Sequence, residues 1–129
     1  MVRKHPENNL QIAVAQYLRL QYPLVLFIHV PNEGNRVRKQ NKKGGWYSPE
    51  GVRNKQMGVV PGCPDFLIFK PVQHGLVTYH GAAIELKIKP NRPTPEQLNF
   101  MNHLKNEGWY TAVCYDMDEA EKIIKMYLK

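Results

Sequence analysis

Apolar residues near the N-terminus recur at helical intervals: Leu10, Ala13, Val14, Tyr17 and Leu18 share one face between about Glu7 and Gln21. That spacing predicts a helix with one stripe turned toward a core, ended by Pro23. The run Leu24 to Val30 is short, apolar and partly β-branched, which predicts a buried strand. Periodicity then fails from Arg36 to Lys55, where Gly44, Gly45, Pro49 and Gly51 interrupt it, so a loop or loosely structured flap is expected. Two strands follow. Asp65 to Phe69 is a short apolar run. Ala82 to Lys89 alternates, with Ala82, Ile84, Leu86 and Ile88 on one face and Glu85, Lys87 and Lys89 on the other. Lys70 to Tyr79, carrying Pro71 and Gly75, is the expected hairpin connection between them.

Thr94-Pro95-Glu96-Gln97 has the makings of a helix start: Thr94 as N-cap, Pro95 in the first turn and Gln97 closing a capping box. Leu98, Met101 and Leu104 give that helix its buried face, and Gly108 ends it. Trp109 to Tyr115 reads as a strand. Asp116 caps a last helix whose apolar stripe is Ala120, Ile123, Ile124 and Tyr127. The order is helix, strand, flap, strand, strand, helix, strand, helix. It predicts one α/β domain over residues 1–129, a mixed β-sheet flanked by helices, with a basic flap at 36–55.

Composition narrows the function. The 129 residues carry 18 Lys and Arg against 11 Asp and Glu, a net charge of +7. Such a balance favours a polyanionic partner. Within the flap, Arg36, Arg38, Lys39, Lys42, Lys43, Arg53 and Lys55 face the single acid Glu50, with Trp46 and Tyr47 interleaved. A charge run can be merely a solvated loop; its density here, with the aromatics interleaved, points to phosphate contact. Cys63 and Cys114 are too far apart for a CxxC pair, so no thiolate zinc site is expected and a reducing compartment suits the chain. Cys63, with no base beside it, reads as a small filler. The five histidines show no metal-site spacing, and His29 alone, on the expected buried strand, invites attention. The first residues lack a signal peptide's apolar run, and the longest apolar run, Leu24 to Ile28, falls far short of the about 20 residues of a membrane span. A cytoplasmic protein that does not engage membranes is expected.

The chemistry-bearing residues are Pro64-Asp65 and Glu85-Leu86-Lys87, on neighbouring expected strands. Glu85 and Lys87, two apart in a strand, project from one face with Cα atoms ~6.6 Å apart. In a hairpin pairing, Asp65 at the start of the first strand comes near Glu85 at the end of the second. Two ionised carboxylates ~4 Å apart repel by ~4 kcal/mol at an effective dielectric of ~20, and a divalent cation between them reverses that sign. Oxygen ligands favour Mg²⁺ or Mn²⁺ over Zn²⁺. The competing reading is a surface Glu85–Lys87 ion pair with Asp65 capping a turn. Against it stands the glycine-punctuated approach Gly58 to Asp65, which fixes where the aspartate points.

The string Gly58-Val59-Val60-Pro61-Gly62-Cys63-Pro64-Asp65, the triplet Glu85-Leu86-Lys87 and the helix start Gln97-x-x-Phe100 resemble the VRR-NUC family of the PD-(D/E)XK nuclease superfamily. Asn32-Glu33-Gly34 and the basic flap follow that family's usual order. The resemblance implies a restriction-endonuclease-like core and a Mg²⁺-dependent (or Mn²⁺-dependent) DNA endonuclease. It carries over Asp65 and Glu85 as metal ligands, the Leu86 backbone carbonyl as a further one, and Lys87 as the residue that positions the attacking water. It also places an acid on the first helix, for which Glu7 is the candidate, and matches Gln97 to a glutamine near the active site. Each of these last two has a plain structural alternative: Glu7 complements the helix dipole, and Gln97 completes a capping box. Stand-alone members of this size resemble small Holliday-junction resolvases, which implies branched duplex DNA as substrate, a homodimer, and a bacterial or phage origin. The rival reading is a non-catalytic nucleic-acid-binding module that retains the fold.

Overall fold

The computed structural model describes residues 5–31, 39–40 and 46–129. The chain divides into two units, one built from Met1–Val30 and Gly62–Lys129 and the other from Pro31–Pro61. In the larger unit the first element is α1 (Pro6–Gln21), with Pro6 in the first turn and Leu10, Val14 and Leu18 buried. Of the stripe expected from the sequence, these three and Tyr17 pack on the core, while Ala15 rather than Ala13 joins them.

Four strands form the sheet: β1 (Phe27–His29), β4 (Phe66–Ile68), β7 (Ala82–Leu86) and β8 (Tyr110–Cys114), in the order β1-β4-β7-β8. β1 pairs antiparallel with β4, β4 antiparallel with β7, and β7 parallel with β8. The sheet is therefore mixed. The parallel step is made by the crossover helix α3 (Pro95–Asn106), whose Thr94–Gln97 capping box forms as the sequence predicts. α4 (Met117–Tyr127), capped by Asp116 through the Glu119 N–H, closes the core with α1. Phe66, Ile68, Ala82, Ile84 and Leu86 meet Leu10, Val14 and Leu18 of α1 and Ala120, Ile124 and Tyr127 of α4.

Several sequence expectations need correction. Leu24 to Val30 is not a buried strand: β1 is three residues at the sheet's edge, and Leu24, Leu26 and Ile28 are exposed. An edge strand has a neighbour on one side only, and of these residues Val25 and Phe27 pack on the core. The central β7, by contrast, is buried on both faces, so Ala83 and Glu85 are as enclosed as Ile84. It stops at Leu86 rather than running to Lys89. The link between β4 and β7 is a hairpin in its own right, β5 (Val72–His74) and β6 (Val77–Tyr79), turned at Gly75 with φ +60°. On α3 only Met101 of the expected trio is fully buried, and Leu98 is exposed.

In the smaller unit, β2 (Lys39–Gln40) and β3 (Trp46–Tyr47) pair antiparallel. The helix α2 (Pro49–Gln56) occupies what reads from sequence as loop. Pro49 does not break it, because it sits in the first turn where no intrahelical N–H is required. Ser48 caps it by accepting the Gly51 N–H at 3.1 Å. Among the described residues, no helix is long and apolar enough to cross a membrane.

Candidate active site

The β4–β7 register brings the two acids together. Phe66 faces Ile84, so one step outward Asp65 faces Glu85. Directly opposed residues of an antiparallel pair project to the same side. The hairpin pairing expected from sequence is the one observed.

Asp65 is held at every polar atom of its carbonyl and carboxylate. Its carbonyl accepts the Val30 N–H at 2.7 Å, and the His29 ring Nδ1 lies 2.9 Å from the same oxygen. Its carboxylate accepts the Leu86 N–H on Oδ2 at 2.7 Å and the Gln11 Nε2 on Oδ1 at 3.1 Å. The approach to it is set by Gly62 at φ +88°, a conformation open to glycine. A Cβ there would stand 2.5 Å from the carbonyl carbon and oxygen of Glu96, so the loop lies directly on the first turn of α3.

Glu85 is 1% exposed, and its Oε2 is buried with no hydrogen-bond partner among the described residues. Burial is the main reason its carboxyl is pushed up to about 9; a hydrogen bond to Asp65 and the Asp65 charge act the same way, and Lys87 opposes them. Glu7 is half-buried on α1. Its carboxyl is also raised, by burial first and then by the Asp65 charge, with Lys87 again opposing. Glu7 and Lys87 thus lie within the electrostatic reach of the pair. The Cys63 thiol is pushed up by burial and by the charges of Glu85 and Asp65, which keeps it protonated and unsuited to nucleophilic attack.

The Leu86 backbone turns toward Asp65. The Lys87 N–H donates to the Cys114 carbonyl of β8. Neighbouring residues of a strand present their backbone groups to opposite sides, so the Leu86 C=O, like its N–H, faces Asp65. Among the described residues no three His, Cys, Asp or Glu side chains converge as a metal-binding group. The donor set suits a divalent cation in kind: two opposed carboxylates, one with a buried unpartnered oxygen, beside a backbone carbonyl. Two protein carboxylates with the remaining positions left to water and substrate is the pattern Mg²⁺ adopts.

The other expected residues divide. Gln97 is half-buried, and its Oε1 accepts the Thr94 N–H at 2.8 Å, so that oxygen serves the helix cap. Arg53 and Lys55 are exposed on α2, and Lys39 is on β2. Arg36, Arg38, Lys42, Lys43 and the Asn32-Glu33-Gly34 string lie outside the described residues. Sequence reasoning missed Gln11 and the contact of His29 with Asp65. For Gln11 a signal exists: it follows Glu7 by four residues, one turn on the same helix face.

A family model described as the VRR-NUC domain matches residues 5–118. No curated protein matches the chain. Among solved structures, one titled "VRR_NUC domain protein" is similar at 23% identity and TM-score 0.67, covering 95% of this chain and 87% of that one. Another, titled "VRR_NUC domain", is similar at 19% identity and TM-score 0.52, with 94% and 96% covered. At such identities the two structures support the fold. The family match, spanning nearly the whole chain and both strands of the acid pair, carries the assignment: the chain belongs to the VRR-NUC family of nucleases, within the PD-(D/E)XK superfamily.

Proposed function

We propose that the chain is a divalent-metal-dependent DNA endonuclease that cuts branched duplexes as a homodimer, its residues 1–129 forming one nuclease domain with a basic arm. The observation that carries the reading is the buried Asp65–Glu85 pair with its unpartnered Glu85 Oε2. Two buried carboxyl groups side by side can both be charged only when a cation joins them; without one, Glu85 keeps its proton up to about 9.

Asp65, Glu85 and the Leu86 carbonyl are the residues that would hold Mg²⁺ or Mn²⁺. A bound divalent ion supplies charge that makes water a stronger nucleophile and offsets charge gathering on a phosphoryl group. The protein's own groups do the rest. Lys87, close enough to act on both Glu85 and Glu7, presents an ammonium that orients water and screens the developing phosphate charge. Glu7 is the candidate for a further acid at the same centre, and Gln97 for an outer polar group. The cations Arg36, Arg38, Lys39, Lys42, Lys43, Arg53 and Lys55 supply the phosphate attraction expected of a DNA-binding arm.

The test incubates the full chain with supercoiled plasmid and with synthetic four-way junctions, in Mg²⁺, in Mn²⁺ and in EDTA. Cleavage of junctions that EDTA stops and Asp65→Asn abolishes is the expected outcome. Binding without cleavage in either metal would overturn the endonuclease reading in favour of a non-catalytic module. Light scattering of the free protein tests the dimer.

A further inference from the structure

Gln11 donates its side-chain amide to Asp65 Oδ1, and the Leu86 main-chain N–H donates to Oδ2. The χ2 torsion of an aspartate is broad, so a carboxylate anchored at one oxygen can still swing. Two donors, one to each oxygen and from different elements, fix its plane. Leu86 belongs to β7, the strand that carries Glu85, and Gln11 belongs to α1, the helix that carries Glu7. α1 is itself locked in rotation, because Leu10, Val14 and Leu18 are buried against the sheet and α4. The donor at Gln11 is therefore set by the core rather than by the loop that brings Asp65 in. Each carboxylate oxygen has about two acceptor positions. Gln11 and Leu86 take one on each, and the carboxylate keeps acceptor capacity for the neighbouring Glu85 carboxyl.

We propose that Gln11 is a positioning residue: by donating to Asp65 Oδ1 it fixes the carboxylate plane in which Asp65 meets a divalent cation shared with Glu85. The inference rests on the metal-site reading above. It assigns to α1 a second duty besides carrying Glu7, namely to tie the orientation of the aspartate to the packing of the core. Groups that orient a ligand through a hydrogen bond typically contribute 10–100-fold in metal affinity or activity.

The test compares wild type, Gln11→Met, Gln11→Leu and Asp65→Asn as full-length proteins. Gln11→Met keeps the length and apolar stem while removing the donor. Three measurements are made: Mn²⁺ binding to the DNA-free protein by electron paramagnetic resonance, the kcat and KM of junction cleavage, and thermal melting. The expected result for Gln11→Met and Gln11→Leu is roughly tenfold or greater loss of Mn²⁺ affinity and a similar fall in kcat, with KM for DNA within about threefold and the melting transition retained. Asp65→Asn should lose both binding and cleavage. If Asp65→Asn is inactive while both Gln11 variants bind Mn²⁺ and cut within twofold of wild type, the positioning role is overturned and the metal site stands. If wild type takes up no Mn²⁺, or Asp65→Asn takes up as much, the metal site fails and this inference with it. Loss of the melting transition in both Gln11 variants assigns the residue to packing and also overturns the proposal.

Discussion

Replacing Glu85 by glutamine should make the metal-free protein more stable, and increasingly so as pH rises. The unfolded chain releases the Glu85 proton near 4.5, whereas the folded chain holds it to about 9. Between those values the folded state binds about one more proton than the unfolded state. A carboxyl raised in this way contributes stability that is fully present below about 4.5 and is lost as pH climbs toward 9. Its slope is ~1.4 kcal/mol per pH unit, so ~4 kcal/mol disappears between pH 5 and pH 8. Against the ~5–15 kcal/mol that keeps a domain folded, that is a large share. Glu7 is raised too and adds in the same direction. Glutamine at 85 has no proton to lose, and its amide can donate to Asp65, so most of the slope should vanish. The assay is urea unfolding in EDTA at several pH values from 5.5 to 8.5, wild type beside Glu85→Gln. Parallel curves for the two proteins would refute the argument, because they would mean the Glu85 carboxyl titrates as in the unfolded chain. Adding Mn²⁺ at pH 8 should restore stability to wild type and do little for the variant.

Lys87→Ala should abolish cleavage while leaving DNA affinity within a few-fold, as gel-shift and cleavage assays on one junction will show; undiminished cutting removes Lys87 from the chemistry. DNA affinity should fall steeply between 50 and 200 mM salt, and Arg53→Glu with Lys55→Glu should flatten that slope by about two charges. A dependence unchanged by the double variant takes α2 off the DNA. Gly62→Ala should cost on the order of 1–3 kcal/mol by thermal denaturation, since the residue sits at φ +88° with Glu96 backbone atoms 2.5 Å from any Cβ. A neutral effect would mean the loop has room to move off α3.

The legible part of this molecule was the part governed by local rules. The α1 stripe, the Thr94–Gln97 box and the Asp116 cap depend on residues within four of one another, and all three form as the sequence predicts. The Asp65–Glu85 juxtaposition could be read because a hairpin pairing needs only two strand ends and a short link. What escaped depends on position in the sheet. Leu24 to Val30 has the composition of a buried strand, yet its place at the edge leaves Ile28 exposed, and no local pattern states which strand lies outermost. Pro49 and Gly51 read as breaks in periodicity and so as loop, although Pro49 is also what a helix accepts in its first turn. Gln11 was overlooked because its partner is 54 residues away.

The β5–β6 hairpin interrupts the chain between the two strands that bear the acids, yet it leaves the sheet at the end remote from them: Asp65 precedes β4 and Glu85 lies near the end of β7, while the hairpin joins their other termini. Leu76 at its tip is fully exposed. A fluorophore, an affinity handle or a whole grafted protein could be spliced in beside Gly75 without disturbing the acid pair, and an inherited insertion could settle there by the same route.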